Sequence, residues 1–176
     1  MAVQLKRLKI GDTIKPIHSC DSDLNDFLMD DALPHLEDQQ GVTYLFKNEE
    51  ETICYCTILH DKISLRDSDK KHWNSLTGHI QRNRRSNYPA IKIGKLATSL
   101  NFERQGYGRR LISLVQYLYT KSDMAAGCRF ITVDAVNEPT QKAITFYQNI
   151  GFHFMTDNDK HEETRYMAFD LLSMKT

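Results

Sequence analysis

The segment Ile91–Leu118, IKIGKLATSLNFERQGYGRRLISLVQYL, limits what this chain can fold into more than any other stretch. Ile91, Ile93, Leu96 and Ala97 suit a buried strand over Ala90–Leu100, introduced by Pro89. A short polar loop holding Gly106 and Gly108 follows. From about Gly108 onward, Leu111, Ile112, Leu114, Val115, Leu118 and Tyr119 recur at the spacing of one apolar helix face. Strand, glycine loop and helix in this order make an anion site. The first amides of a helix have no partner within it, and the peptide dipoles favour negative charge where those amides point. Gly106 and Gly108 let the backbone approach a pyrophosphate with no Cβ in the way. Arg104, Arg109 and Arg110 add donors for charge-assisted bonds to phosphate oxygens. Leu111 stands where a dinucleotide fingerprint needs its third glycine, and no Walker lysine follows. A tight turn alone would explain the two glycines; nicotinamide and ATP sites are disfavoured, and a site for some other phosphorylated cofactor remains open.

The rest of the chain supplies a mixed set of elements. Strands are expected over Gln4–Ile10, Thr43–Phe46, Thr52–Leu59, Arg129–Ala135, Phe152–Met155 and Arg165–Leu171, the second and third forming a hairpin around the polar turn Lys47–Glu51. Leu24, Phe27, Leu28 and Ala32 predict a helix from Ser22 to about Leu36, with Ser22 as its cap and Pro34 bending or ending it. Lys70–Ile80 suggests a short helix. Pro139 suits the first turn of another, which carries Ala143, Ile144, Phe146 and Tyr147 and stops at Gly151. The succession predicts one mixed α/β, or α+β, domain over residues 1–176, a usual size for a single core.

Composition narrows the class. Apolar residues make up 40% and charged residues 26%, as in ordinary globular proteins, and no apolar run reaches the roughly 20 residues of a membrane span. The N-terminus lacks the apolar stretch of a signal peptide, so a cytoplasmic protein with no membrane partner is expected. Lys and Arg number 23, as do Asp and Glu, which lowers the expectation of strong non-specific nucleic-acid binding. The charge is nevertheless segregated. Residues 21–51 carry ten acids against Lys47, and residues 62–95 carry nine bases against Asp67 and Asp69. The stretch around Arg82, Arg84 and Arg85, close to Tyr88, reads as a solvated loop or, less simply, as an RNA contact. Cys20, Cys54, Cys56 and Cys128 have neither the spacing of a zinc site nor the look of a disulfide framework, and the seven histidines are scattered. Free thiols and no metal site are expected.

Two motifs in the C-terminal half resemble a known family. Glu103–Gly108 (ERQGYG), followed by Arg109, Arg110, Leu111 and Ile112, resembles the pyrophosphate loop of the GNAT N-acetyltransferase superfamily. Lys95–Ser99 (KLATS) sits where that family has its cofactor-facing strand, and Ala143–Phe152 (AITFYQNIGF) is similar to its second hallmark. The resemblance covers roughly residues 91–155. It implies a mostly antiparallel central sheet with helices on both faces. It also implies acetyl-CoA as cosubstrate and transfer of its acetyl group to an amine acceptor, either a small molecule or a protein. By the same resemblance, Leu96, Ala97 and Thr98 bind the pantetheine arm and stabilise charge developing on the thioester oxygen. Arg104, Gln105, Gly106, Tyr107, Gly108, Arg109 and Arg110 hold the pyrophosphate, and Tyr147 is the general acid for the departing CoA thiolate. Glu103 stands where the family usually has Gln or Arg, so that contact is not carried over. Thr140 stands where many members have Asn, and Asn137 is the nearest alternative. Asp134, His60 and Glu103 are candidate proton acceptors, none of them singled out.

His18–Ala32 (HSCDSDLNDFLMDDA), with Tyr88 and Pro89, is similar to the toxin-type members of this superfamily, which acetylate the amino group of aminoacyl-tRNA. That likeness implies tRNA and an antitoxin as partners. The acidic first helix points instead to a cationic acceptor such as a polyamine or a lysine side chain. A non-catalytic CoA-binding module is the third alternative. Dimerisation, common in the superfamily, makes a homodimer a further possibility.

Overall fold

The computed structural model describes residues 2–78, 86–121 and 126–174. Within them lie strands β1 (Gln4–Arg7), β2 (Val42–Lys47), β3 (Thr52–Ser64), β4 (Asn87–Thr98), β5 (Phe130–Val136), β6 (His153–Phe154) and β7 (Thr164–Asp170). They form a seven-stranded sheet in the order β1-β2-β3-β4-β5-β7-β6. The β1–β2, β2–β3, β5–β7 and β6–β7 pairings are antiparallel. The helices are α1 (Ser22–Asp26), α2 (Ala32–Glu37), α3 (Lys70–Thr77), α4 (Tyr107–Thr120) and α5 (Lys142–Gln148), with a π-helical segment, Phe27–Asp31, joining α1 to α2. This is the expected mixed, mostly antiparallel architecture. The chain divides into two compact units, Met1–His60 with Ile93–Tyr117, and Asp61–Lys92 with Leu118–Thr176.

In the first unit the β2–β3 hairpin runs in register from Val42↔Ile58 to Phe46↔Cys54, then shifts so that Lys47 faces Thr52. Asn48 closes the turn, its side-chain oxygen accepting the amides of Glu50 and Glu51 at 2.8 and 2.7 Å. Leu8, Ile17, Phe27, Leu28, Ala32, Leu45, Tyr55 and Ala97 form the core. The Tyr55 hydroxyl donates to the Leu24 carbonyl at 2.7 Å, tying α1 to β3. β1 ends at Arg7 rather than Ile10, because the Lys9–Asp12 turn intervenes, the Asp12 carboxylate accepting the Lys9 amide at 2.8 Å. Asp21, not Ser22, caps α1, accepting the amides of Asp23 and Leu24. Pro34 does not end the helix, which continues to Glu37. The Ala32 amide reaches back five residues to Phe27, so the widened turn precedes the proline. Pro34 then falls in the opening turn of α2, where its missing N–H matters least.

In the second unit β5 and β7 pair from Phe130↔Asp170 to Val136↔Thr164. Ile63, Trp73, Leu76, Ala90, Phe130, Met155 and Ala168 form its core, with the Trp73 ring centroid 4.8 Å from Tyr88 and 5.5 Å from Phe130. The half-buried Tyr88 packs its ring against this core. Arg82, Arg84 and Arg85, the stretch read as a solvated loop or an RNA contact, lie outside the described residues, as does Ile80. Pro89 lies inside β4 rather than ahead of it, its carbonyl accepting the Arg129 amide at 3.3 Å. Pro139 is not in the first turn of α5. It sits second in the turn Glu138–Gln141, closed by the Gln141 amide on the Glu138 carbonyl at 2.9 Å, a position that suits its fixed φ. The end of α5 matches expectation. Gly151 has φ +91°, the Phe152 amide reaches the Tyr147 carbonyl at 3.0 Å, and the Gly151 amide reaches that of Gln148 at 3.0 Å. These are the two bonds of a Schellman cap.

Candidate active site

The glycine turn belongs to the first unit. β4 delivers the chain through Leu96, Ala97 and Thr98. Ala97 is buried in the core, Leu96 is half-buried, and the Thr98 hydroxyl donates to the Cys54 thiol at 3.3 Å. A single 3-10 turn, Leu100–Phe102, carries it on to Arg104, Gln105 and Gly106, all exposed. Arg104 and Gly106 have φ +59° and +84°, a left-handed pair of corners that reverses the chain into α4. A Cβ built on Gly106 meets nothing within 4 Å, so the turn is open on that side and the glycine serves backbone conformation. Gln105 braces the turn, its side-chain amide donating to the Asn101 carbonyl at 3.0 Å.

Helical bonding starts where the Arg110 amide donates to the Gly106 carbonyl at 3.0 Å. Gly106 is thus the N-cap, and the amides of Tyr107 and Gly108 precede the first helical bond. Tyr107 anchors this end. Its ring packs on Phe46 and Phe102 at 5.6 and 6.0 Å, with the Arg110 guanidinium 5.5 Å above it. Arg104, Arg109 and Arg110 are exposed. An open turn, helix amides and three arginine side chains fit a diphosphate.

Tyr147 belongs to the second unit, on α5. It is 5% exposed and touches Phe146 and Phe152 edge-on at 5.1 and 5.2 Å, while Phe152 packs on Phe169. The ring is a core aromatic whatever its hydroxyl does. Asn137 is committed elsewhere, its side-chain amide donating to the carbonyls of Lys160 and Glu162 at 3.1 and 2.9 Å. Of the candidate proton acceptors, Asp134 is ion-paired with Lys92, and His60 and Glu103 are exposed. On the same unit Asp61 accepts a hydrogen bond from Thr132, and Tyr166 faces Asp134 across the β5–β7 ladder. Burial first, then the carboxylates of Asp61, Asp134 and Asp67, push the Tyr166 phenol above its usual range.

Asp69, His72 and Asp157 bring three possible metal-ligand atoms within 4.8 Å of one another. The Lys71 and Lys160 ammonium groups already pair with Asp157, and Asp69 accepts the Asp157 amide at 2.7 Å. The group is an ion-pair clasp between the start of α3 and the loop after β6. All four cysteines are free thiols.

The model of the acetyltransferase (GNAT) family matches residues 26–152. The chain belongs to this family. A GNAT enzyme is an N-acetyltransferase that takes its acetyl group from acetyl-CoA and needs no metal, and this chain is one. No curated protein sequence matches it. Among solved structures, this GNAT enzyme resembles AtaT complexed with acetyl-methionyl-tRNAfMet, at TM-score 0.77 and 20% identity over 99% of this chain and 98% of that one. It resembles a tyrosine-to-phenylalanine mutant of KacT at TM-score 0.75 and 22% identity over 98% of each chain. It also resembles an AtaT mutant toxin bound to the C-terminus of the antitoxin AtaR and acetyl-CoA, at TM-score 0.73 and 19% identity over 98% of this chain and 96% of that one. These are likenesses of fold. No helix of the described residues is long and apolar enough to cross a membrane.

Sequence reasoning missed the polar partners that lead into the glycine turn. Thr98 meets Cys54, and Ser99 meets Glu51, across separations of 44 and 48 residues. The neighbouring strands β3 and β4, with the Ser99 amide on the Ile53 carbonyl, bring these residues together, and no local pattern carries that pairing.

Proposed function

We propose that this GNAT enzyme acetylates the α-amino group of aminoacyl-tRNA, as a toxin held in check by an antitoxin. The observation that carries the reading is the end-to-end likeness to AtaT complexed with acetyl-methionyl-tRNAfMet, which spans 98% or more of both chains. The N-terminal stretch His18–Ala32 supports it independently, since it resembles toxin-type members.

On this reading the amides and arginines of residues 104–110 hold the diphosphate of acetyl-CoA. The backbone of Leu96–Thr98 lines the pantetheine arm and donates to the carbonyl oxygen as the amine attacks. Donors fixed in advance of the charge they meet contribute about 2.7–4 kcal/mol each. Holding the two reactants together supplies much of the remaining acceleration. The Tyr147 hydroxyl protonates the leaving thiolate, whose conjugate thiol has a pKa near 8.5. The proton shed by the attacking nitrogen passes to solvent, from which the phenolate is reprotonated. The tyrosine-to-phenylalanine mutants among the similar toxin structures motivate this assignment.

The test is to incubate the purified protein with radiolabelled acetyl-CoA and charged, uncharged and pre-acetylated tRNA. Label is expected on charged tRNA alone, and expression without an antitoxin is expected to arrest growth. Label on spermidine or a lysine peptide, with none on charged tRNA, overturns the reading. The acidic stretch 21–51 favours that second outcome, because it would attract a cationic acceptor.

A further inference from the structure

We propose that Glu51 is a positioning residue for the cofactor turn, acting through the Ser99 hydroxyl to fix the point at which the chain leaves β4. The proposal rests on the reading of residues 104–110 as the diphosphate site. Ser99 is fully buried, and its hydroxyl donates to the Glu51 carboxylate at 2.6 Å. A buried hydroxyl needs a partner, and a carboxylate acceptor makes the bond short and strong.

Both ends of this link are held by other bonds. On the Glu51 side, the buried Asn48 accepts the Glu51 amide at 2.7 Å and donates its own amide to the Glu51 carbonyl at 3.1 Å. On the Ser99 side, the Ser99 amide donates to the Ile53 carbonyl at 2.8 Å, and the Leu100 amide to the His18 carbonyl at 2.9 Å. The Ser99 carbonyl accepts the Phe102 amide at 2.8 Å, which closes the 3-10 turn immediately before Arg104 and Gly106. The hairpin turn of β2 and β3 is thus the fixed base from which the cofactor turn is aimed. Binding that depends on several backbone amides converging on one diphosphate is sensitive to such aim, because small misplacements weaken every bond together.

The test compares two probes, acetyl-CoA and S-acetylpantetheine, the latter having the thioester arm and no diphosphate. Affinities are measured by calorimetry for Glu51→Ala, Glu51→Gln, Ser99→Ala and Gly106→Ala, with thermal melts of the free proteins as a folding control. Glu51→Ala and Ser99→Ala are expected to weaken acetyl-CoA about five- to tenfold and leave S-acetylpantetheine within twofold. Glu51→Gln keeps an acceptor for the hydroxyl and is expected to recover acetyl-CoA affinity to within about threefold of the wild type. Equal losses on both probes, no loss on acetyl-CoA, or a Gln variant as weak as the Ala variant overturns the proposal. Should Glu51→Ala fail to fold, Ser99→Ala and Glu51→Gln carry the same comparison. Gly106→Ala separates this failure from that of the underlying reading. If it too leaves the preference for acetyl-CoA over S-acetylpantetheine intact, the turn is not the diphosphate site. If it lowers that preference while Glu51→Ala and Ser99→Ala do not, only the positioning role is lost.

Discussion

Tyr147 fills space in a core and, on the proposed reading, also moves a proton, and one substitution separates the two. Tyr147→Phe keeps the ring against Phe146 and Phe152 and removes only the hydroxyl. Turnover is expected to fall by about 10²-fold or more, the usual contribution of a positioned acid, with acetyl-CoA affinity nearly unchanged. Equal turnover in steady-state assays of both proteins would remove Tyr147 from the chemistry. Its place was legible in the sequence because the surrounding AITFYQNIGF stretch combines a helix face with a glycine stop. The cysteines are a second residue-scale case. Burial pushes the Cys54 thiol up to about 12, against a weaker downward pull from its bond to Thr98, and raises Cys56 as well. At pH 8 only about one Cys54 in ten thousand is then a thiolate. Native iodoacetamide labelling read by mass spectrometry is expected to modify exposed Cys20 first and to spare Cys54 and Cys56 until the protein unfolds. Labelling of Cys54 as fast as Cys20 contradicts its burial.

Elements were legible where a local rule fixes them and illegible where a distant partner does. The end of α5 is the first kind, since a glycine after an apolar helix face is enough to place a Schellman cap. Gly151→Ala puts a Cβ 3.0 Å from the Phe169 ring at φ +91°. The left-handed backbone alone costs about 1–2 kcal/mol for a residue with a Cβ. A lower melting temperature is expected, and an unchanged one would mean that α5 ends by other means. The apolar spacing placed both helices, whereas the prolines did not mark their ends: Pro139 sits in the turn before α5, and α2 runs through Pro34 to Glu37.

The loop after β6 is the second kind. Asp69 on one side, and Lys71, His72 and Lys160 around Asp157, join residues up to 88 positions apart. Lys71 foremost, then His72, hold the Asp157 carboxyl below the usual carboxylate range. A group whose pKa is lowered by folding contributes stability above its ordinary value of 3.8, and that contribution is lost as pH falls below it. Asp157→Asn is therefore expected to melt below the wild type at pH 7, with the gap closing below about pH 4. High salt is expected to narrow it too, because these pairs lie at the surface. A gap that stays constant from pH 7 to pH 3 speaks against an ionic clasp.

At the scale of the whole chain the family was readable from two short motifs, whereas the acceptor was not, and charge explains why. Acids and bases balance at 23 each, so no net charge draws in either a polyanion or a polycation. What remains is segregation, and its sign at the first helix bears on the acceptor. Asp26 and Asp30 are exposed, and the cap of α1 is made by Asp21, so Asp26→Asn with Asp30→Asn changes charge without removing that cap. Removing two negative charges lowers repulsion toward tRNA phosphates and weakens attraction toward a polyamine. If aminoacyl-tRNA is the acceptor, kcat/KM for it is expected to rise about two- to fivefold at low salt, and the gain to vanish as salt screens the interaction. If a polyamine is the acceptor, the same variant loses activity on spermidine and gains nothing on tRNA. The opposite signs make this pair of kinetic measurements decisive between two acceptors that a neutral chain leaves equally placed.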